Sequence, residues 1–249
     1  MISRLYGTDG CHGGWIVAEA DDKLESFAFR ITEDLGLFFG KAEPDRVIAI
    51  DISIGLPVNE SRACDASARQ LLGWPRRNSV FSPPARRALD AGTFQEALRL
   101  NREMLNTGIS KQAFCIMPKI REVDALMDRQ RQQYVREAHP EVTFAQLNGG
   151  PMMHNKKTAA GRLERIGVLN TVGIAISQER LMEERARFRA THVALDDLLD
   201  ALACLLTAFH IHAGRGLSLG RSDQKDAKQL VMEIVTCARA AEGTTRFRA

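Results

Sequence analysis

The chain has 249 residues, of which 45% are hydrophobic and 26% charged, and its formal net charge is +3. This length allows one large domain or two small ones with a substantial core, so we expect the chain to fold on its own. No segment approaches the ~18 apolar residues of a membrane span, and the five cysteines are widely spaced, which excludes a disulfide framework and a Cys-x-x-Cys zinc site. We therefore expect a cytoplasmic protein with reduced thiols and no contact with a membrane.

Residues 5–15 predict a β-hairpin. An apolar run ends on Asp9, a glycine-rich turn follows, and a second apolar run begins at Trp15. Asp9 would then stand at the end of the first strand, where a metal ligand can project. Taken alone, Asp9-Gly10 is more simply an ordinary turn pair, so the metal hypothesis depends on carboxylates in later segments.

Two further elements are predicted before residue 45. Residues 24–31 alternate so that Phe27, Phe29 and Ile31 share one face, which predicts a third strand. Residues 32–41 begin with a capping residue and two acids and end near a glycine, which predicts a short helix.

Residues 46–54 predict a strand buried on both faces, because a β-branched run is bounded by Pro44 and Pro57. Asp51 lies inside this predicted strand. A buried carboxylate costs several kcal/mol unless it is paired or binds a metal. The alternative is that Asp51 lies at the strand's exit and caps a turn, but the strand-like residues after it favour the functional interpretation.

Residues 58–130 predict a helix-rich insert with a basic character. Residues 56–136 carry fourteen Lys and Arg residues against eight Asp and Glu, whereas residues 1–55 carry five against ten. A basic surround next to acidic strands suits a polyanionic substrate. Arg77, Ser79 and Lys119 lie in candidate substrate-binding loops, although surface turns followed by helices would explain the same residues.

A fifth strand is predicted over residues 133–139, ending at Pro140. Glu137 would share a face with Val135. It is either a solvent-facing edge residue or a ligand that faces the other acids, and the sequence does not decide between these. His139 is more simply structural than catalytic.

The remaining chain predicts four helices, at about 156–169, 179–189, 196–209 and 225–241. The first opens with Lys156 and Lys157. The third is apolar after a first turn in which Asp197 and Asp200 share one face. Acids at a helix N-terminus also stabilise it by roughly 0.3 to 1 kcal/mol, but the three acids present exceed what a cap needs.

Six strings resemble an uncharacterised bacterial family, the domain of unknown function 429, which is predicted to contain ribonuclease H-fold nucleases. They are Gly-Thr-Asp-Gly-Cys-His-Gly-Gly-Trp (7–15), Ile-Asp-Ile-Ser-Ile-Gly-Leu-Pro (50–57), Arg-Arg-Asn-Ser-Val-Phe (76–81), Pro-Lys-Ile-Arg-Glu-Val-Asp (118–124), Glu-Ala-His-Pro-Glu-Val (137–142) and Asp-Asp-Leu-Leu-Asp-Ala (196–201). The last string also resembles the acidic helix of Holliday-junction resolvases. Resolvases typically have a glutamate in the strand that corresponds to the strand of Asp51. This leaves open whether Asp51 or Glu137 is the counterpart of that glutamate.

This resemblance implies an α/β fold with a ribonuclease H-like mixed five-stranded sheet flanked by helices. The chain would form a single ribonuclease H-like domain over residues 1–249, with the helical insert at about 58–130 placed before the last strand.

The resemblance also implies a metal-dependent nuclease that acts on nucleic acid. Carboxylate clusters suit Mg²⁺ or Mn²⁺, and two such ions about 3.5 to 4 Å apart support phosphodiester cleavage. The candidate catalytic residues are Asp9, Asp51, Glu137, Asp197 and Asp200, of which Asp9, Asp51, Glu137 and Asp200 are the metal ligands. The candidate substrate-binding residues are Arg77, Ser79, Lys119, Lys156 and Lys157.

Two other classes of protein remain open. One is a non-catalytic nucleic-acid or protein adaptor on the same fold, which would need no metal. The other is a nucleotide-binding phosphotransferase of the actin and sugar-kinase branch, but that branch places two copies of the fold around a cleft and this chain has room for one.

Overall fold

A five-stranded mixed sheet lies at the centre of the computed structural model, which describes residues 4–40 and 46–238. Its strands are β1 (Arg4–Cys11), β2 (Gly14–Asp21), β3 (Phe27–Thr32), β4 (Arg46–Ile50) and β5 (Val135–Glu137). The spatial order is β3-β2-β1-β4-β5. The first three strands pair antiparallel, β4 runs parallel to β1, and β5 runs parallel to β4.

The described residues also contain eight α-helices and a separate two-stranded sheet. The helices are α1 (Leu35–Phe39), α2 (Ala63–Leu72), α3 (Phe94–Leu105), α4 (Lys111–Leu126), α5 (Pro140–Asn148), α6 (Ala159–Thr171), α7 (Gln178–Ala186) and α8 (Leu195–His212). The second sheet pairs β6 (Gly216–Lys225) with β7 (Val231–Cys237). The chain is therefore an α/β protein, as expected.

Each face of the five-stranded sheet has its own hydrophobic core, because successive strand residues point to opposite faces. Leu5 and Ala49 pack against α8 on one face, whereas Tyr6 and Ile50 pack with residues of α1 and α4 on the other. Helix α8 is apolar nearly all round and lies across β1, β2 and β4. A side chain's position in its strand therefore decides whether it faces α8.

The hairpin, the third strand and the helices predicted at about 32–41, 156–169, 179–189 and 196–209 are confirmed with shifted ends, and the helix-rich segment does lie between β4 and β5. Asp34, rather than Thr32, caps α1. The predicted end of that helix at Lys41 lies outside the described residues.

Three boundary predictions are wrong. Strand β4 ends at Ile50, so Asp51 follows the strand instead of lying inside it. Strand β5 covers only three residues, because residues 131–133 form a 3₁₀ turn and His139 caps α5. The helix predicted around residues 225–241 is instead the end of β6 and all of β7, and residues 239–241 lie outside the described part.

The error at β7 has a physical cause. Its seven residues are mostly buried on both sides, and a short apolar run buried on both faces has no period that separates a strand from a helix.

Among the described residues, no helix combines the length and the apolar character needed to cross a bilayer.

Candidate active site

The close approach of α8 to β1 brings the first two acids together. A Cβ atom added to Gly7 would lie 2.0 Å from the backbone nitrogen of Leu205 and 2.1 Å from the carbonyl oxygen of Ala201. Only glycine lets the helix backbone come this close to the strand. Asp9 lies two residues further along β1 on the same face, and Asp200 directly precedes Ala201 on the helix, so the two carboxylates meet at the end of the strand.

Asp51 joins them from the neighbouring strand. Thr8 pairs with Ile50 across β1 and β4, and the backbone N–H of Asp51 donates to the carbonyl oxygen of Thr8 at 2.9 Å. Asp9 and Asp51 therefore follow paired residues on adjacent parallel strands. Thr8 and Ile50 point to the sheet face opposite α8, and successive side chains point to opposite faces. The side chains of Asp9 and Asp51 therefore both point to the face that α8 covers.

The three aspartates share one electrostatic environment. Burial raises the pKa of Asp9 well above its usual range, and the charges of Asp51 and Asp200 raise it further. Burial also raises the pKa of Asp51, to about 6, while nearby His139 acts to lower it. Burial raises the pKa of Asp200 against the opposing charge of Lys156. Such mutual repulsion between buried carboxylates favours either protons or a cation among them.

Lys156 supplies one positive charge at this cluster. Its ammonium group donates to Oδ2 of Asp200, and the charge of Asp200 raises the pKa of Lys156. The other carboxylate oxygen of Asp200, Oδ1, is buried and has no hydrogen-bond partner among the described residues. One oxygen of the most buried acid is therefore free to accept another donor or a cation.

Asp197 stands at the beginning of α8 and has a capping role. Its Oδ2 accepts the backbone N–H of Ala194 at 2.8 Å, so the capping interpretation holds for this residue. Burial raises the pKa of Asp197, and the charge of Asp200 contributes to the increase. Asp197 thus borders the three aspartates while fixing the start of the helix that carries Asp200.

Glu137 is not brought together with the aspartates. It pairs with Ile50 across β4 and β5 and so points to the sheet face opposite α8. There its carboxylate accepts hydrogen bonds from the guanidinium of Arg62, at 2.6 Å, and from the backbone N–H of Ile54, at 2.7 Å. Arg62 is fully buried and also lies 3.5 Å from Asp65. These contacts give Glu137 a structural role between β5 and the start of α2.

Glu141, rather than the predicted Glu137, is the glutamate that lies near the aspartates. It is buried in the first turn of α5, and its charge acts to raise the pKa of both Asp51 and Asp200. Its Oε1 accepts a hydrogen bond from buried Arg165, while its Oε2 has no hydrogen-bond partner in the part of the chain that the structure describes.

A cleft with a volume of about 1050 Å³ opens over the acids. Its lining includes Asp9, Asp51, Asp197, Asp200, Ser79, Lys119, Lys156 and Lys157 from the predicted set. Glu137 also reaches its wall. The volume lies near the upper end of the ~300 to 1,000 Å³ range of ligand pockets, so the cleft has room for a substrate as well as for an ion.

The predicted substrate-binding residues differ in their placement. The ammonium group of Lys119 donates to the carbonyl oxygen of Gly14 at 2.6 Å and lies 4.2 Å from the centre of the Trp15 ring; burial lowers its pKa. Ser79 donates from its hydroxyl to the carbonyl oxygen of Arg76 at 2.8 Å. Arg77 is exposed and lies outside the cleft lining, which instead contains Arg76.

Two residues that line the cleft were missed or misjudged from the sequence. His139 was assigned a structural role, and it does accept the N–H of Val142 with Nδ1 at 3.4 Å as the cap of α5. It nevertheless lines the cleft beside Asp51. Glu141 is absent from the predicted site; a proline at the first position of a helix is the signal that could have placed it in α5.

The present side-chain arrangement is not a ready-made metal site. Within residues 4–40 and 46–238, no three Asp, Glu, His or Cys side chains are positioned to hold a metal ion together. The chemistry of the donors still suits a hard cation, because the groups that meet are carboxylates and Oδ1 of Asp200 is buried with no partner within those residue ranges. The ammonium group of Lys156 currently balances part of the negative charge.

Comparison with known proteins gives one match. A family model described as a protein of unknown function (DUF429) matches residues 7–225, a span that contains every candidate residue described above. Neither the curated proteins nor the solved structures include a significant match to the chain.

Proposed function

Since the chain belongs to the DUF429 family, whose description assigns no activity, we propose from the site itself that it is a divalent-metal-dependent nuclease that hydrolyses phosphodiester bonds. The observation that carries this proposal is the meeting of three aspartates from three separate segments. Asp9 lies in β1 two residues before the strand ends, Asp51 follows β4, and Asp200 lies in α8. Burial raises the pKa of each of these carboxyl groups. Isolated buried carboxylates are costly, so bringing three together favours a functional explanation.

The proposal includes a ribonuclease H-like fold. The observed sheet supports it with three antiparallel strands followed by two strands that run parallel to β1. The helix-rich insert lies before β5, and the acidic helix packs across β1. In open sheets with parallel strands, ligands bind beyond the carboxyl ends of the strands, which is where Asp9 and Asp51 stand.

Asp9, Asp51 and Asp200 would hold Mg²⁺ or Mn²⁺ in this proposal, with Asp197 beside them. Such an ion would activate a water molecule and stabilise the charge that develops on the leaving oxygen. The chain's own residues place the carboxylates by strand register and by the contact at Gly7. Because Lys156 is bound to Asp200, the acids and Lys156 would have to rearrange to accept the ion.

The walls of the cleft support a phosphate-bearing substrate. Arg76, Lys119, Lys156 and Lys157 line it, and phosphate affinity is largely electrostatic. The basic side chains would attract a phosphodiester into the cleft, while the carboxylates would repel it from direct contact. The phosphodiester would then bind next to the carboxylates.

One observation favours the adaptor as a second candidate. The contact between Lys156 and Asp200 already neutralises one acid, and the described residues hold no preformed set of three metal ligands. An adaptor would bind nucleic acid or protein through the same cleft without any requirement for a metal.

A cleavage assay separates the two candidates. Labelled single-stranded DNA, duplex DNA, four-way junctions and RNA are incubated with the wild type in Mg²⁺, Mn²⁺ or EDTA. The nuclease proposal expects cleavage of at least one substrate with metal, none in EDTA, and loss of cleavage in Asp51→Asn. Asp223→Asn is the matched control, because Asp223 is exposed on β6 and pairs with Arg221 away from the cleft.

The contrary result is equally clear. A folded wild type that cuts none of the substrates, yet binds one of them with the same affinity when Asp9 and Asp51 are both replaced by Asn, contradicts the nuclease proposal and supports the adaptor.

A further inference from the structure

Three large apolar side chains project into solvent beside the cleft. The described residues include eight exposed large apolar side chains, and Trp74, Phe81 and Met153 are among them, with exposed fractions of 78%, 40% and 79%. We call these three residues the apolar rim. Single exposed apolar residues are common, but several exposed apolar residues on adjoining segments are typical of interaction surfaces.

Arg76 joins the two segments that carry the apolar rim. Its Nε donates to the carbonyl oxygen of Met152 at 2.8 Å, and its Nη2 donates to that of Met153 at 2.7 Å. Trp74 lies two residues before Arg76, and Phe81 follows the same 3₁₀ turn and lines the cleft. The three apolar residues therefore lie on the two segments that the Arg76 guanidinium joins at the cleft's edge.

The backbone beneath the apolar rim is held on both segments. Glu164 accepts the backbone N–H groups of Met153 and His154 at 2.6 and 2.9 Å. Arg69 donates from Nη2 to the carbonyl oxygen of Val80 at 3.0 Å and to the hydroxyl of Ser82 at 2.7 Å. These bonds fix the backbone while leaving the side chains in water. A prearranged surface loses less conformational entropy when it binds.

The apolar rim also lies close to the acids. Three peptide steps separate Met153 from Lys156, and three residues span at most about 11 Å even when fully extended. Lys156 in turn contacts Asp200. At ~3.4 Å per stacked nucleotide, a strand whose phosphate lay at the acids would place a base at the apolar rim only a few nucleotides away.

The charges around the apolar rim indicate the occupant. Arg76 and Lys157 line the cleft beside it, and Arg77 is exposed on the same turn as Arg76. Cations interleaved with exposed aromatic rings are the arrangement that binds single-stranded nucleic acid, because the cations contact phosphates and the rings stack on bases. In a duplex the faces of most bases are covered by their neighbours, so a stacking ring requires unpaired bases.

We propose that the apolar rim stacks on unpaired bases and that the cleft therefore takes single-stranded nucleic acid. This inference rests on the proposed function, because it places the strand's phosphate at the acids. It goes further by naming the substrate class and the residues that select it.

Intrinsic fluorescence gives a direct test. The chain has two tryptophans; Trp15 is buried and donates to Glu122 at 3.0 Å, so quenching by an added ligand reports on Trp74. Single-stranded oligo(dT) and a hairpin duplex are titrated in EDTA, which chelates divalent metal and so prevents metal-dependent cleavage. The affinity for each nucleic acid is measured by the anisotropy of a labelled strand.

The variants are Trp74→Ala, Trp74→Phe and the control Leu37→Ala. Leu37 is 81% exposed on α1 and lies outside the cleft lining. We expect oligo(dT) to quench the wild type and to bind more tightly than the duplex. Trp74→Ala should weaken oligo(dT) binding by about 5- to 100-fold, the effect of losing one stacked base. Trp74→Phe should restore most of the affinity, and Leu37→Ala should leave it unchanged.

Each other outcome overturns part of the account. Equal affinity of Trp74→Ala and the wild type for oligo(dT), or preference of the wild type for the duplex, overturns the stacking proposal and leaves the nuclease proposal standing. Failure of the folded wild type to bind either nucleic acid also overturns the stacking proposal and would make the apolar rim a contact surface for a protein, whereas the nuclease proposal is decided separately by the cleavage assay with metal.

Discussion

The ammonium group of Lys156 is bound to Oδ2 of Asp200, so the chain itself supplies a cation to its acidic cluster. Asp200 is almost completely buried, whereas about a third of the Lys156 side chain is exposed. The pair thus joins the loop before α6 to the second turn of α8. Burial raises the pKa of Asp9 and Asp51, and the charge of Lys156 acts to lower both.

Replacing Lys156 with Met should destabilise the metal-free protein. Removing one partner of a buried ion pair typically costs 3–5 kcal/mol, and exposure of Lys156 reduces this to about 1–3 kcal/mol because water can approach Asp200. Urea unfolding in EDTA measures the change. Lys157→Met is the control, because Lys157 forms its hydrogen bond to Asn155 through its backbone N–H. Equal stability of the two variants would show that the pair contributes nothing.

Asp51→Asn should stabilise the metal-free protein at neutral pH. Burial raises the pKa of Asp51 to about 6 in the folded protein, compared with about 3.9 in an unfolded chain. The folded state then keeps a proton that the unfolded state has lost, so the wild type loses stability as pH rises from about 4 to about 6. Asn cannot titrate and avoids this loss.

Urea unfolding of Asp51→Asn and the wild type at pH 4 and pH 7.5, in EDTA, tests the prediction. The advantage of the variant should grow by about 1–3 kcal/mol between the two pH values. Asp223→Asn, at an exposed position, should show no such growth. A difference between Asp51→Asn and the wild type that stays constant with pH would contradict the raised pKa.

Gly7→Ala should disrupt the packing of α8 on β1. The added Cβ would overlap backbone atoms of the helix at 2.0 and 2.1 Å, and backbone atoms cannot move aside as a flexible side chain can. We expect a loss of at least about 3 kcal/mol in the free energy of unfolding. Gly92→Ala is the control, since a Cβ at Gly92 would meet nothing within 4 Å. Similar melting temperatures for the two variants would contradict the close contact.

Glu137→Gln should destabilise the protein and leave metal binding intact. Arg62 is fully buried against Glu137, and weakening its main partner should cost about 3 kcal/mol. Unfolding in urea and titration with Mn²⁺ give the two readouts, with exposed Glu25→Gln as the control. Loss of Mn²⁺ binding at unchanged stability would instead make Glu137 a metal ligand, as the sequence had indicated.

The sequence predicted the positions of Asp9 and Asp51 because the signals for both are local. Asp9 precedes a glycine-rich turn, and Asp51 ends a strongly apolar run, so each could be placed near a strand end from the chain alone. The two predicted strands also proved to be neighbours. What the sequence could not show was that Gly7 allows α8 to approach β1 and so brings Asp200 to Asp9.

The predicted site residues that lie elsewhere in the structure differ in the direction of their side chains, which depends on strand register and turn geometry. Glu137 and Val135 do share a face, as predicted, but pairing of Glu137 with Ile50 turns that face away from α8. Because side chains alternate along a strand, a shift of one residue would have reversed the outcome. Arg76 lines the cleft while the predicted Arg77 does not, because the 3₁₀ turn that carries both residues sets the direction of each side chain.

The most direct test of the central claim is isothermal titration of Mn²⁺ into the wild type, Asp51→Asn and the control Asp223→Asn, with circular dichroism confirming that all three are folded. We expect saturable binding by the wild type and Asp223→Asn that is lost in Asp51→Asn. Absence of binding by the folded wild type up to millimolar Mn²⁺, with nucleic acid present, would contradict a metal site built from the three aspartates.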